Sequence, residues 1–276
     1  MNTVLANHNR VNLHVEDTGG DGRPVILVHD WPLNMHQWNL QVPPLREAGY
    51  RVIAYDRRGF GKSEKPVYGY SYDDTAADLA CLILDMDLTN VTIVGMGMGA
   101  AEAARADVLL GGERLNMIML VSTVTPFMLM TEGNDYGWVP SFTYTQMLES
   151  LQNDREGFFV DLMQTYHSAG GELKITQQQL ADLVTMCQTA DQSAAIACWE
   201  SVCKTDHRPT LEAVKTRSTV LHGAADAFAP HGKAADITAR TLNDSFQASL
   251  REATHGMSVS DSHEFTEGLL RLLPEK

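Results

Sequence analysis

The sequence predicts an α/β protein, a mostly parallel sheet flanked by helices with a helical cap inserted in it. Three observations carry that prediction. Short runs that are apolar on both faces recur at 24–28, 51–55, 91–94 and 117–121, as strands buried under two helical layers require. Amphipathic, helix-forming segments separate them, the alternation that yields parallel pairing. Between 126 and 204 the strand-like runs stop and helix formers with aromatics take over (Phe158, Phe159, Tyr166, Trp199), after which the alternation resumes. The economical division is a core of residues 1–125 and 205–276 carrying a helical cap at 126–204.

Taken in order, Val11, Leu13 and Val15 alternate with polar residues, the pattern of a half-buried antiparallel edge strand. A glycine-rich turn at 19–22 leads into the buried strand 24–28. Residues 35–47 read as helix, interrupted or kinked at Pro43 and Pro44. The strand 51–55 ends at Asp56, and Asp73 and Asp74 open a helix running to about 87, their charges at the positive end of its dipole. The strand 91–94 runs straight into Gly95-Met-Gly-Met-Gly99 and an alanine-rich helix. After the insertion come a strand at 219–221, a helix near 233–242, a strand at 246–250 and a last helix from about Ser262.

Size and charge narrow the function. A chain of 276 residues suffices for one large domain with an insertion. Its net charge of −14, with no Lys/Arg-rich run, argues against nucleic acid or an anionic membrane as partner and leaves a small molecule. No apolar run is long enough to cross a bilayer, and the N-terminal residues lack the basic and apolar regions of a signal peptide. Cys81, Cys187, Cys198 and Cys203 form no C-x-x-C pair and have no histidine at metal spacing. Reduced, mostly buried thiols in a cytoplasmic protein are the expectation.

Chemistry concentrates where a strand enters the glycine turn at 95–99, where Asp226 follows the strand 219–221, and where His255 follows the strand 246–250. Elbow, acid, histidine is the triad order of the α/β hydrolases, whose elbow reads G-x-S-x-G. Here glycine, Gly97, holds the central position. The turn is no phosphate loop, since it lacks both G-x-G-x-x-G spacing and a Lys–Ser/Thr pair.

On these residues the chain resembles the bacterial non-haem haloperoxidase and aryl esterase group of α/β hydrolases. The resemblance runs through His29-Asp-Trp-Pro32, Tyr55-Asp-Arg-Arg-Gly-Phe-Gly61 with Ser63, Asn90-Val-Thr-Ile-Val-Gly95, Lys204-Thr-Asp206, Leu221-His-Gly223 and His255-Gly256. It implies an eight-stranded sheet, an acyl-enzyme route to ester or lactone hydrolysis with perhydrolysis as a side activity, and no metal or other cofactor. It also implies that Asp226 orients His255 as general base, and that the backbone N–H groups of Trp31 and Met98 form the oxyanion hole. A homo-oligomer is compatible with it. Two positions depart from the pattern. Gly97 stands where the nucleophilic serine is expected, and Asp30 replaces the glycine of His-Gly-Trp, bringing a carboxylate beside the oxyanion hole. An ionised, inward-facing Asp30 would oppose a substrate oxyanion, whereas a protonated or outward-facing one would be harmless.

Neither Ser122 nor Ser258 sits on an elbow, so both read as ordinary polar residues at element ends, and Ser63 reads as a turn residue. Asp30, Ser122, Trp138 and Phe142 are the expected pocket residues; Met128, Met130, Tyr144 and Met147 divide between pocket and core. Three functions remain open at this point. The chain is an ester-type hydrolase on a small acyl substrate, impaired by loss of its serine. Alternatively, His255 and Asp226 act without a serine, activating water or deprotonating a substrate for cofactor-free oxygenation, with Asp30 as a second acid or base. Or the scaffold binds a small molecule without catalysis.

Overall fold

Each apolar run forms a strand of one sheet in the computed structural model, which describes residues 2–6, as backbone, and 11–274. In chain order the strands are β1 (Asn2–Ala6), β2 (Val11–Asp17), β3 (Pro24–Val28), β4 (Arg51–Tyr55), β5 (Val91–Met96), β6 (Leu115–Val121), β7 (Ser168–Ala169), β8 (Glu172–Leu173), β9 (Ser218–Gly223) and β10 (Ser245–Leu250). β7 and β8 pair only with each other, and the other eight form a sheet of order β1-β2-β4-β3-β5-β6-β9-β10. Within that eight-stranded sheet only the pairings of β2, with β1 and with β4, are antiparallel, as is the separate β7–β8 pair. The alternating run at 11–15 is therefore an interior strand and not the expected edge, because residues 2–6 add β1 outside it.

The helices are α1 (Val42–Glu47), α2 (Tyr72–Asp85), α3 (Met98–Leu110), α4 (Ser141–Asn153), α5 (Arg155–Tyr166), α6 (Gln177–Gln188), α7 (Gln192–Lys204), α8 (Arg208–Ala213), α9 (Ala235–Thr241), α10 (Met257–Ser260) and α11 (Ser262–Leu272). The interruption expected at 43–44 falls just before the prolines. A 3-10 turn at Met35–Trp38 ends there, and the prolines open α1, where a missing N–H costs nothing. α2 starts on a capping box, in which the Ser71 side chain accepts from Asp74 N and the Asp74 carboxylate accepts from Ser71 N. α4 to α7 and the β7–β8 hairpin lie between β6 and α8 in the chain.

Strand periodicity divides the core. Val25 and Leu27 face Trp38, Leu45 and Phe265 on one side of the sheet, while Ile26 and Val28 face Leu79, Leu82 and Ala104 on the other. A third apolar cluster joins α5 and α7 to the sheet's carboxyl edge through Trp31, Phe158, Tyr166 and Trp199. The order β4-β3-β5 places a crossing point at β3: the chain leaves it on one side and returns on the other. The crevice where an α/β sheet takes its ligand thus lies between the carboxyl ends of β3 and β5.

Two buried ion pairs brace that crevice from the Asp56-Arg-Arg58 segment. Arg57 donates two hydrogen bonds to Glu102 on α3, at 2.6 and 2.7 Å, and one to the carbonyl of His29 at 2.6 Å. Arg58 grips Asp78 on α2 in the same forked way. Asp56 accepts from Met35 N and Lys62 N, and Ser63 bonds the Asp56 carbonyl, the turn role its position suggested. Glu102→Gln leaves the Arg57 guanidinium buried with half its partner removed. Denaturant unfolding of that variant is expected to show a loss of about 3–5 kcal/mol.

Candidate active site

Backbone geometry at the elbow comes first, because it decides what residue 97 can carry. Gly97 has φ 54° and ψ −114°, between the end of β5 and the first turn of α3. Glycine adopts this conformation freely, whereas a side chain there costs about 1–3 kcal/mol. Gly95 and Gly99 let α3 pass against β5 and β3, since a Cβ on either would overlap backbone, that of Gly99 or of Val28. A Cβ on Gly97 would instead overlap a side chain: it would collide with all three atoms of the Asp30 carboxyl. The space where an elbow side chain would project is filled by Asp30, reaching across from the loop after β3.

The Asp30 side chain faces inward, not outward, which decides one part of what the sequence left open. Its Oδ1 accepts from Trp31 N at 2.7 Å and from Met98 N at 2.8 Å, the two groups expected to form the oxyanion hole. Its Oδ2 lies 3.0 Å from His255 Nε2. On the other side of the imidazole, Nδ1 is 2.7 Å from Asp226 Oδ2. Both ring nitrogens face carboxylate oxygens, so both donate and the ring is an imidazolium. Burial alone would push the His255 pKa down. The charge of Asp226 and hydrogen bonds to Asp226 and Asp30 outweigh it and raise the pKa to about 10.

Asp226 is satisfied all round. Its Oδ1 accepts from Phe228 N at 2.9 Å and Ala229 N at 2.7 Å, and His222 Nε2 lies 3.1 Å from Oδ2. Burial works to raise its pKa, but the His255 charge and the hydrogen bonds from His222 and His255 hold it well below the usual carboxylate range. His222, four residues before Asp226 near the end of β9, escaped the reading of the sequence; only that spacing signals it. Gln37, which accepts from Asp30 N at 2.8 Å, gives no signal at all.

Aromatic rings close the site. Tyr166 and Phe228 pack on the His255 ring at centroid distances of 4.3 and 4.9 Å, and the Tyr166 hydroxyl donates to the Trp31 carbonyl. Trp31 stacks on Trp199 and meets Phe158 edge-on. His255 and Met98 are fully buried, and Asp30 is 2% exposed. Beyond this wall lies a cavity of about 650 Å³ whose lining includes Trp138, Met147, Phe158, Leu162, Phe228 and Asp161. Phe158 and Phe228 belong to both: they line the cavity, while Phe158 meets Trp31 and Phe228 meets His255.

The expected pocket residues fare unequally. Trp138 lines the cavity, its indole N–H donating to the Phe228 carbonyl. Phe142 does not: it is 72% exposed, because the cavity face of α4 runs through Thr143, Gln146, Met147 and Ser150, and position 142 falls about 100° back from Thr143 around the helix. Ser122 is fully buried just past β6 and is not in the lining of this cavity, and Asp30 fills the elbow seat instead of lining the pocket. Of the undecided residues, Met147 reaches the cavity and Met128 the core. Tyr144 is buried with its hydroxyl on Glu200, and Met130 is largely exposed.

Parallel strand ends that deliver an acid and then a histidine to a glycine elbow, in that chain order, mark the hydrolases built on this sheet. The chain belongs to the alpha/beta hydrolase fold family, which it matches over residues 23–261. It is 31% identical to a non-heme chloroperoxidase of Kitasatospora aureofaciens across 92% of this chain and 93% of that protein. Among solved structures, a bromoperoxidase from Bacillus anthracis superposes with a TM-score of 0.93 at 32% identity, covering 98% of both chains. An esterase from Exiguobacterium antarcticum superposes with a TM-score of 0.91 at 26% identity, again over 98% of each. By family the chain is a hydrolase-type enzyme in the company of esterases and haloperoxidases. Among the described residues, no helix is long and apolar enough to cross a membrane.

The raised pKa of His255 sets the pH profile of stability. A group whose pKa rises on folding contributes fully below its unfolded value, about 6.5. That contribution disappears as pH climbs through about 10. Unfolding curves collected from pH 6 to 10.5 are expected to show stability falling across this window, and His255→Gln to flatten the fall.

Proposed function

We propose that this chain is a hydrolase that works without a serine. His255, oriented by Asp226, is its acid–base group, and Asp30 takes the place of the elbow side chain. One observation carries the reading. The Asp30 carboxylate occupies the seat an elbow serine would need and also accepts both N–H groups that would receive a substrate oxyanion. An acyl-serine route is therefore obstructed twice, first by the missing hydroxyl and then by an anion in the hole. Glycine at 97 and aspartate at 30 suit each other sterically, which a serine merely lost from an intact esterase would not explain.

The substrate is a small, largely apolar molecule that binds in the cavity behind Phe228 and Phe158 and reaches His255 when that wall moves. The four free, buried thiols support a reducing compartment, the cytoplasm. A second reading, an esterase disabled at residue 97, draws on the intact Asp226–His255 pair and the intact hole donors.

Short-chain aryl ester hydrolysis separates the two. Gly97→Ser alone is expected to gain less than about tenfold, because Asp30 stays in the seat. Asp30→Gly combined with Gly97→Ser empties the hole and supplies the hydroxyl, and is expected to raise turnover by about 10²–10³-fold with an acyl-enzyme burst. A thousand-fold gain from Gly97→Ser alone would establish the disabled esterase instead.

A further inference from the structure

The oxyanion hole points at a carbon of the protein itself. Trp31 N and Met98 N converge on Oδ1 of Asp30, at 2.7 and 2.8 Å, so the carbon they are arranged to serve is Asp30 Cγ. Such donors matter when an sp² centre becomes tetrahedral and its oxygen takes on charge. Asp30 Cγ undergoes that change only if the carboxyl has first become an ester and water then attacks it. The second oxygen is placed for the first of these steps. Oδ2 stands outside the hole, against His255 Nε2 at 3.0 Å, so the atom free to form a bond has an acid–base group beside it.

The neighbours of Oδ2 also select the electrophile. An sp³ carbon attacked by a carboxylate needs a leaving group. The group adjacent to Oδ2 is an N–H donor, which suits a leaving oxygen that must take up a proton. A halide would leave without one, and His255 would remain protonated and unable to serve as base in the next step. The mainly apolar cavity with its one carboxylate, Asp161, suits a neutral substrate.

We propose that Asp30 is a covalent nucleophile that opens a neutral, apolar epoxide, a proposal that rests on the serine-free reading of this site. In the first step Oδ2 bonds to an epoxide carbon, that carbon's bond to the ring oxygen breaks, and the oxygen takes the proton from His255 Nε2. The product is a hydroxyalkyl ester of Asp30 beside a neutral imidazole. In the second step His255, held by Asp226, takes a proton from water as the water oxygen adds to Cγ, and the charge on Oδ1 falls into the hole of Trp31 and Met98. Collapse breaks the bond between Cγ and the alkyl oxygen. That oxygen leaves with the proton on His255, and the Asp30 carboxyl returns its proton to the imidazole. Epoxide and water have become a diol, and the carboxylate and imidazolium are regenerated.

A single turnover of styrene oxide in heavy-oxygen water, with enzyme in excess, tests this on the unaltered protein. The expected result is heavy oxygen in the carboxyl of Asp30, located by mass spectrometry of the peptide that contains it, and a first-turnover diol with none. Heavy oxygen in the diol and none in Asp30 would mean direct attack by water. The covalent role of Asp30 then falls while the serine-free hydrolase stands. No consumption of the epoxide would overturn the proposal as well, leaving the ester measurements on the Gly97 and Asp30 variants to judge the serine-free reading separately. Asp30→Asn, close in size and able to accept from the hole, is expected to lower epoxide turnover by about 10³-fold or more. Turnover within tenfold of the parent would overturn the nucleophilic role.

Discussion

One imidazolium between two buried carboxylates is the interaction around which this molecule is arranged. Three charges this far from water are tolerable only when every lone pair and proton has a partner. Asp226 has two backbone N–H groups, His222 and His255; Asp30 has two backbone N–H groups and His255. The sheet makes this satisfaction possible. Each partner comes from the carboxyl end of a parallel strand, where loops turn their amides toward the crevice. The Arg57–Glu102 pair fixes the first of those loops by holding the carbonyl that precedes Asp30. Stability and the proposed chemistry are therefore coupled, since His255, the proposed acid–base group, is also the partner of both buried carboxylates.

The pairing of Gly97 with Asp30 follows from space. An elbow forces residue 97 to positive φ and aims its side chain into the crevice. Glycine relaxes the strain and vacates the volume, and a carboxylate entering from the opposite loop fills that volume without disturbing α3 or β5. The backbone N–H groups of Trp31 and Met98 then converge on one oxygen of that carboxylate.

What the sequence disclosed divides along physical lines. Continuous apolar runs mark strands covered on both faces, and Gly95 and Gly99 mark a close crossing of helix and strand, so the sheet, the elbow and the order of Asp226 and His255 could be read directly. These features depend on backbone and burial, which periodicity encodes. The short N-terminal strand β1 has no such signature and draws its stability from pairing with β2. Rotation of a cap helix is equally unmarked, so Trp138 and Phe142 looked equivalent although one lines the cavity and the other faces solvent. The direction of the Asp30 side chain is a tertiary outcome. It is set by the donors of Trp31 and Met98 and by the empty volume over Gly97, 67 positions further along.

Charge connects the site to the rest of the chain. A surface of net charge −14 repels anions at long range, and the inner site, with two carboxylates around one imidazolium, repels them at short range. The cavity adds only Asp161 to a mainly apolar lining. The proposed substrate is accordingly neutral and apolar, and the buried site lies on the far side of Phe228 from that cavity. Excluding water strengthens each hydrogen bond of the carboxylate–imidazolium–carboxylate array. Because Gly97, Trp31 N and Met98 N belong to backbone fixed by the sheet, the two side chains at 30 and 97 decide what stands in the crevice between β3 and β5. On the proposed reading that pair places the attacking oxygen on Asp30 without moving a strand.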